Sequence, residues 1–139
     1  LKRKKCLRNK NKYCRCFNLK DKRKNGIGLE YALNGLKEAF IREKNFRIHV
    51  IIAIFVIIAA FLFQLTYLEW ALILAFILFV FIAELMNSVI ERLIDYIKPE
   101  LHPNAKIIKD MAAAIVLVAA IGSIIVGLII FIPKVLTLL

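Results

Sequence analysis

The chain has 139 residues, 61% of them hydrophobic, and carries 21 Lys+Arg against 10 Asp+Glu for a formal net charge of +11. It is greasier and more basic than a soluble domain of this size normally is, which argues against a soluble nucleic-acid binder. The apolar residues run in blocks rather than in a helical or strand period, so one small polytopic membrane domain is predicted.

Residues 1–24 hold 12 Lys/Arg, one acid and no apolar run. Such a composition cannot bury enough surface to offset the entropy of ordering, so this stretch reads as a flexible cytoplasmic tail. Without an apolar core or a small-residue cleavage pattern it does not read as a secretory signal, and its attraction to anionic lipid headgroups is nonspecific. All three cysteines fall here, Cys6, Cys14 and Cys16. Their C-x7-C-x-C spacing matches no usual zinc pattern, and reduced cytosolic thiols are the plain reading.

Over about residues 27–46 the pattern turns helical. Leu29, Leu33, Leu36 and Phe40 stack on one side, while Asn34, Glu38 and Arg42 point away. This predicts an interfacial amphipathic helix. Glu43 returns to within about 40° of the apolar stripe at 100° per residue. It is either a carboxylate that needs a partner at the membrane side or a solvated residue at a frayed helix end.

Three apolar spans follow, over about 48–65, 68–92 and 111–132. Each is long enough to cross a bilayer, the second only by accepting polar residues. Sixteen Lys/Arg precede the first span and none lies in the Gln64–Glu69 turn, whereas four lie between Glu91 and Asp110 and Lys134 alone follows the third span. The positive-inside rule therefore places the N-terminus and the second connection in the cytoplasm and the C-terminus outside. Tyr67 and Trp70 fit an outer aromatic belt. Ala119, Ser123 and Gly127 form a small-residue ridge suited to close helix contact. The fold expected is all-α.

The second span carries Glu84, Asn87, Ser88, Glu91 and Asp95 at offsets 0, 3, 4, 7 and 11, one face of one helix. If the helix enters the hydrocarbon near Trp70, Glu84 lies about 9 Å inside the core and Glu91 at the cytoplasmic edge. An ionisable residue at that depth costs about 3 kcal/mol or more and is normally retained for function, although a structural polar contact between helices is the plainer alternative. Pro99 and Pro103 are expected to break the helix and leave DYIKPELHPNAKIIKD as a hairpin, with Lys106, Lys109 and Asp110 heading the third helix. Basic residues at a helix start oppose the macrodipole, so either an anion sits there or lipid headgroups anchor them. His102 takes no role from its chemistry alone.

Glu91 with Glu43 would make a hard oxygen site suited to Mg²⁺, which takes one or two carboxylates plus substrate phosphates. Glu84 is placed to accept a proton from a hydroxyl buried in the bilayer, and Lys109 to neutralise phosphate charge. These are the parts phosphoryl transfer needs, with a lipid alcohol as acceptor. No G-x-x-x-x-G-K-[ST] occurs, so a P-loop kinase is excluded.

YALNGLKEAFIREKNFRIH from Tyr31, ELMNSVIERLID from Glu84 and PELHPNAKIIKDMAAA from Pro99 resemble the small integral-membrane lipid kinases of bacteria, the prokaryotic diacylglycerol kinase and undecaprenol kinase family. The specific signal is E-x-x-N-x-x-x-E inside a span followed by K-D-x-A-A-A opening the next. The resemblance covers about residues 24–132 and makes 25–139 a membrane lipid kinase domain. It implies a homotrimer with ATP-dependent sites shared between subunits. Residue by residue, it implies Glu84 as catalytic base, Asn87 near the transferred phosphate, and Glu43 and Glu91 as metal ligands. Tyr31, Lys109 and Asp110 then contact the nucleotide, and Glu100, Leu101 and His102 form the hairpin near the adenosine. The P-E-L-H-P-N-A-K hairpin is closer to the undecaprenol kinases, so undecaprenol is the expected acceptor, with diacylglycerol as the alternative. A small oligomeric ion or proton pathway is the competing non-enzymatic reading.

Overall fold

A computed structural model describes residues 28–97 and 103–137. Its elements are four helices, α1 Gly28–Arg42, α2 Lys44–Leu62, α3 Tyr67–Ile97 and α4 Pro103–Leu136. The helices α2, α3 and α4 are each long and apolar enough to cross a membrane. The basic tail, its cysteines and the segment Glu100, Leu101 and His102 lie outside the described residues.

The amphipathic stretch does not run through to residue 46. It ends at Arg42, and Glu43 takes an extended conformation (φ −91°, ψ 113°) as the residue that caps α2. Arg42, Glu43 and Lys44 all favour helix, so the break has a tertiary rather than a local cause. Beyond it Phe46 is buried, its ring 5.5 Å from that of Phe81 on α3. Because the helix stops first, Glu43 does not extend the α1 stripe as a continuous 100° rotation predicts. On α1 itself Glu38 and Arg42 form an ion pair one turn apart, and Leu29, Leu33, Leu36 and Phe40 are all exposed. The described residues leave that apolar stripe uncovered, as a helix lying on a membrane surface would be.

At the opposite end of the bundle the α2–α3 turn is closed by backbone and side-chain caps. Gln64 adopts φ 48°, its N–H donates to the Phe61 carbonyl at 3.2 Å, and the Leu65 N–H donates to Ala60 at 3.2 Å. This is a Schellman closure with glutamine in the left-handed position, and Leu65 and Ala60 share one apolar cluster, the contact that usually accompanies it. Thr66 and Glu69 then form a capping box on α3: the Thr66 N–H donates to Glu69 Oε2 at 2.7 Å, and the Glu69 N–H returns to Thr66 Oγ1 at 3.5 Å. Glu69 also meets Lys134 Nζ at 3.3 Å, tying the end of α4 to the start of α3.

The most extensive packing is between α3 and α4, where Val80, Ala83 and Ala119 form one buried cluster. The small-residue ridge meets expectation at Ala119 but opens beyond it. Ser123 turns its hydroxyl back to the Ala119 carbonyl at 2.8 Å, and a Cβ on Gly127 would meet nothing within 4 Å. Phe76 and Phe131, with Ser123 and Gly127, line a largely apolar cavity of about 340 Å³ between α2, α3 and α4.

The second and third spanning helices exceed the expected spans. At 31 and 34 residues they are about 46 and 51 Å long, more than the hydrocarbon needs, so both project past one boundary. Asp95 to Ile97 remain in α3, and Pro103 opens α4 instead of breaking a helix, because proline's missing N–H costs nothing at a first helical position. Pro133, near the other end of α4, is carried inside the helix.

Candidate active site

The sequence spacing puts Glu84, Asn87, Ser88, Glu91 and Asp95 on one face of α3, and the structure turns the deeper part of that face inward. Glu84 is 2% exposed, and Asn87 and Ser88 are also buried. Val80 and Ala83 beside them pack on α4, so the polar residues are carried into the helix interface by the same stripe that forms the core.

Asn87 Nδ2 donates to Glu91 Oε1 at 3.0 Å, fixing the carboxylate at the edge of the buried patch. Two acceptors of the patch, Glu84 Oε2 and Asn87 Oδ1, are buried without a hydrogen-bond partner among the described residues. An unsatisfied buried acceptor costs about 1–3 kcal/mol, so two on one turn of α3 mark a place suited to receive a donor.

Two cross-helix ion pairs bound the patch. Glu43, at the α1–α2 break, accepts from Arg92 Nη2 at 2.7 Å and from Arg92 Nε at 3.3 Å. It is therefore a paired carboxylate and not a solvated residue at a frayed end. Lys109, in the second turn of α4, meets Asp95 Oδ1 at 2.5 Å. In this structure the direct partner of Lys109 is that carboxylate of α3. Tyr31 is 58% exposed on α1, and Asp110 is exposed on α4.

The structure thus brings Glu84, Asn87, Glu91, Glu43 and Lys109 to one end of the bundle, around the C-terminal half of α3. Arg92 is the residue that sequence reasoning passed over. Its only local signal is a cation directly following Glu91, and nothing in the spacing pairs it with a carboxylate 49 positions earlier. The pairing of Lys109 with Asp95 was missed for the same reason.

Among the described residues no three His, Cys, Asp or Glu side chains form a ready-made metal cage. The chemistry of the donors fits a hard divalent cation: Glu91 and Glu43 would offer carboxylate oxygens, and such ions take one or two of these with the rest of the shell from phosphates and water.

Together these features define a polytopic helical membrane protein with an acid–amide patch buried beneath one end of its bundle. Residues 30–131 match the family described as prokaryotic diacylglycerol kinase. The chain is 42% identical over 104 residues to an undecaprenol kinase of Bacillus subtilis (strain 168), covering 75% of this chain and 85% of that one. It is 42% identical over 93 residues to a diacylglycerol kinase of Helicobacter pylori (strain ATCC 700392 / 26695), covering 67% and 73%. To a diacylglycerol kinase of Escherichia coli (strain K12) it is 32% identical over 95 residues, covering 68% and 78%. The chain belongs to the prokaryotic diacylglycerol kinase family. It is a membrane lipid kinase, and kinase chemistry implies the use of ATP.

Proposed function

We propose that the protein phosphorylates undecaprenol, with Glu84 as the base that takes the proton of the lipid hydroxyl. The observation that carries this reading is the buried Glu84 Oε2, which has no hydrogen-bond partner among the described residues. In hydrocarbon the donor that fits a lone carboxylate oxygen is a hydroxyl, and the molecules that bring a hydroxyl to that depth are lipid alcohols.

The chain's own residues divide the work. Glu84 accepts the hydroxyl proton as the hydroxyl oxygen forms its bond to the γ-phosphorus of ATP and the bond to ADP breaks. Asn87, fixed through Nδ2 to Glu91, presents Oδ1 beside the reacting groups and keeps the two glutamates in register. Glu43 and Glu91 would hold Mg²⁺, which supplies neutralisation of the phosphate charge. Lys109, Asp110 and Tyr31 approach the nucleotide from α4 and α1, and the family resemblance adds Glu100, Leu101 and His102, which lie outside the described residues. The apolar cavity walled in part by Val80 and Phe81, one turn from Glu84, offers hydrocarbon surroundings to the acceptor's tail.

The same reading orients the chain with its N-terminus and active site in the cytoplasm and its C-terminus outside, because the Lys/Arg excess lies at the Glu91 end. That side also supplies ATP. A homotrimer with sites shared between subunits follows from the family resemblance.

Polyprenol and diacylglycerol both present a primary hydroxyl near the interface, so depth alone does not separate them. The polyprenol is favoured by the PELHPNAK hairpin and by the greater coverage of the Bacillus relative. The equal identity to the Helicobacter relative keeps diacylglycerol as the second reading. Purified protein in mixed micelles with γ-labelled ATP and each lipid in turn decides between them. Faster labelling of undecaprenol is expected, and faster labelling of diacylglycerol overturns the choice.

A further inference from the structure

Glu43 is an unusual residue to find at the start of a helix. It caps α2 by position, yet its side chain makes no capping hydrogen bond, and helix-favouring residues stand on both sides of it. Its backbone carries the ladder across the break, since the Glu43 N–H donates to Ala39 at 2.8 Å and its carbonyl accepts from the Arg47 N–H at 3.4 Å. What the carboxylate does instead of capping is reach α3, where both Arg92 contacts fall on a single oxygen, Oε1. The guanidinium fork is rigid and planar, so two N–H groups converging on one oxygen fix the carboxylate's orientation as well as its position.

We infer that Arg92 is a positioning residue for the divalent-metal site, holding Glu43 by Oε1 at the α1–α2 break and leaving Oε2 for the metal that Glu43 shares with Glu91. The inference rests on the metal-site reading proposed above. Arg92 follows Glu91 directly, so one turn of α3 presents one metal ligand and anchors the other. Ligating carboxylates are held in this way by outer hydrogen bonds, and removing such a partner typically weakens metal binding about 10- to 100-fold. The opposing effect, repulsion between guanidinium and metal, is screened at this boundary because the Arg92 side chain is 47% exposed. Loss of orientation at a helix break is not screened, so it decides the sign.

The test is a titration of Mn²⁺ into the full-length protein in detergent micelles with a non-hydrolysable ATP analogue, free Mn²⁺ being followed by electron paramagnetic resonance. Arg92→Gln is expected to weaken Mn²⁺ binding about tenfold. Arg92→Lys, which keeps the charge but not the fork, falls between the two. On a Glu43→Gln background, Arg92→Gln adds no further loss, because its effect passes through that carboxylate. Unchanged or tighter binding in Arg92→Gln overturns the inference, as does an equal loss in both backgrounds. If Glu43→Gln and Glu91→Gln each bind Mn²⁺ as the parent does, it is the metal-site reading that fails, and the role of Arg92 fails with it.

Discussion

Lys109 and Asp95 join α4 to α3 through a 2.5 Å contact, so the lysine that the family resemblance assigns to the nucleotide is held by a carboxylate on the helix that carries Glu84 and Glu91. The Asp95 side chain is 65% exposed, and a pair that open contributes little to stability. Its value lies in aim. Asp95→Asn is expected to raise the KM for ATP about fivefold with kcat within about twofold, the pattern of lost ground-state binding. Initial rates against ATP concentration check this, and an unchanged KM would reduce the pair to a surface contact.

Glu91 is fixed by Asn87 at 3.0 Å and stands at the edge of the buried patch. Glu91→Gln keeps the shape but removes the charge that a divalent cation needs. The Mg²⁺ concentration for half-maximal turnover is expected to rise about tenfold or more. A Mg²⁺ titration at fixed ATP reads it directly, and an unshifted midpoint would exclude Glu91 as a ligand.

Ala119 is 2% exposed and sits against Val80 and Ala83, where α3 and α4 approach closely. Ala119→Leu overfills that contact and is expected to destabilise the protein by about 1–3 kcal/mol. The neighbouring Val118 is 69% exposed, and Val118→Leu is expected to leave the melting temperature unchanged. Thermal denaturation in the same detergent compares the two.

Thr66 begins α3 at the end of the bundle away from Glu84. Its hydroxyl donates to Glu69 Oε2 at 2.9 Å and its N–H reaches the same oxygen at 2.7 Å. Thr66→Ala is expected to lower stability by about 0.5–1 kcal/mol, the usual loss for an N-cap. Turnover at saturating substrate stays at the parent value, because no proposed site residue lies at this end. A drop in kcat matching that of an active-site variant would mean that the two ends of the bundle are coupled.

What the sequence made legible was the periodic part of the molecule. The offsets of Glu84, Asn87 and Ser88 placed them on one face of α3, and the cost of a buried acid turned that face inward, as the structure has it. Blocks of apolar residues likewise gave the three spanning helices. The break at Glu43 was not legible, since Arg42, Glu43 and Lys44 carry no stop signal and the contacts around it, Glu43 with Arg92 and Phe46 with Phe81, run between helices. The same holds for Asp95 with Lys109: each partner looks like an ordinary boundary charge until the antiparallel α3–α4 packing brings them together. Pro103 was misread because a proline ends one helix and begins the next with equal ease, and only the chain's path shows which. The ridge packs on α3 at Ala119, whereas Ser123 and Gly127 border a cavity that Phe76 and Phe131 also line, a difference of volume that spacing does not show.

The most direct test of the account is transfer of labelled γ-phosphate from ATP to undecaprenol by the parent protein and by Glu84→Gln, with fold and nucleotide binding checked on the same samples. Removing a general base typically slows turnover about 10²- to 10⁴-fold. A loss of that size in a variant that melts like the parent and still binds the ATP analogue is the result expected. Parent-like labelling of the lipid by Glu84→Gln would contradict it.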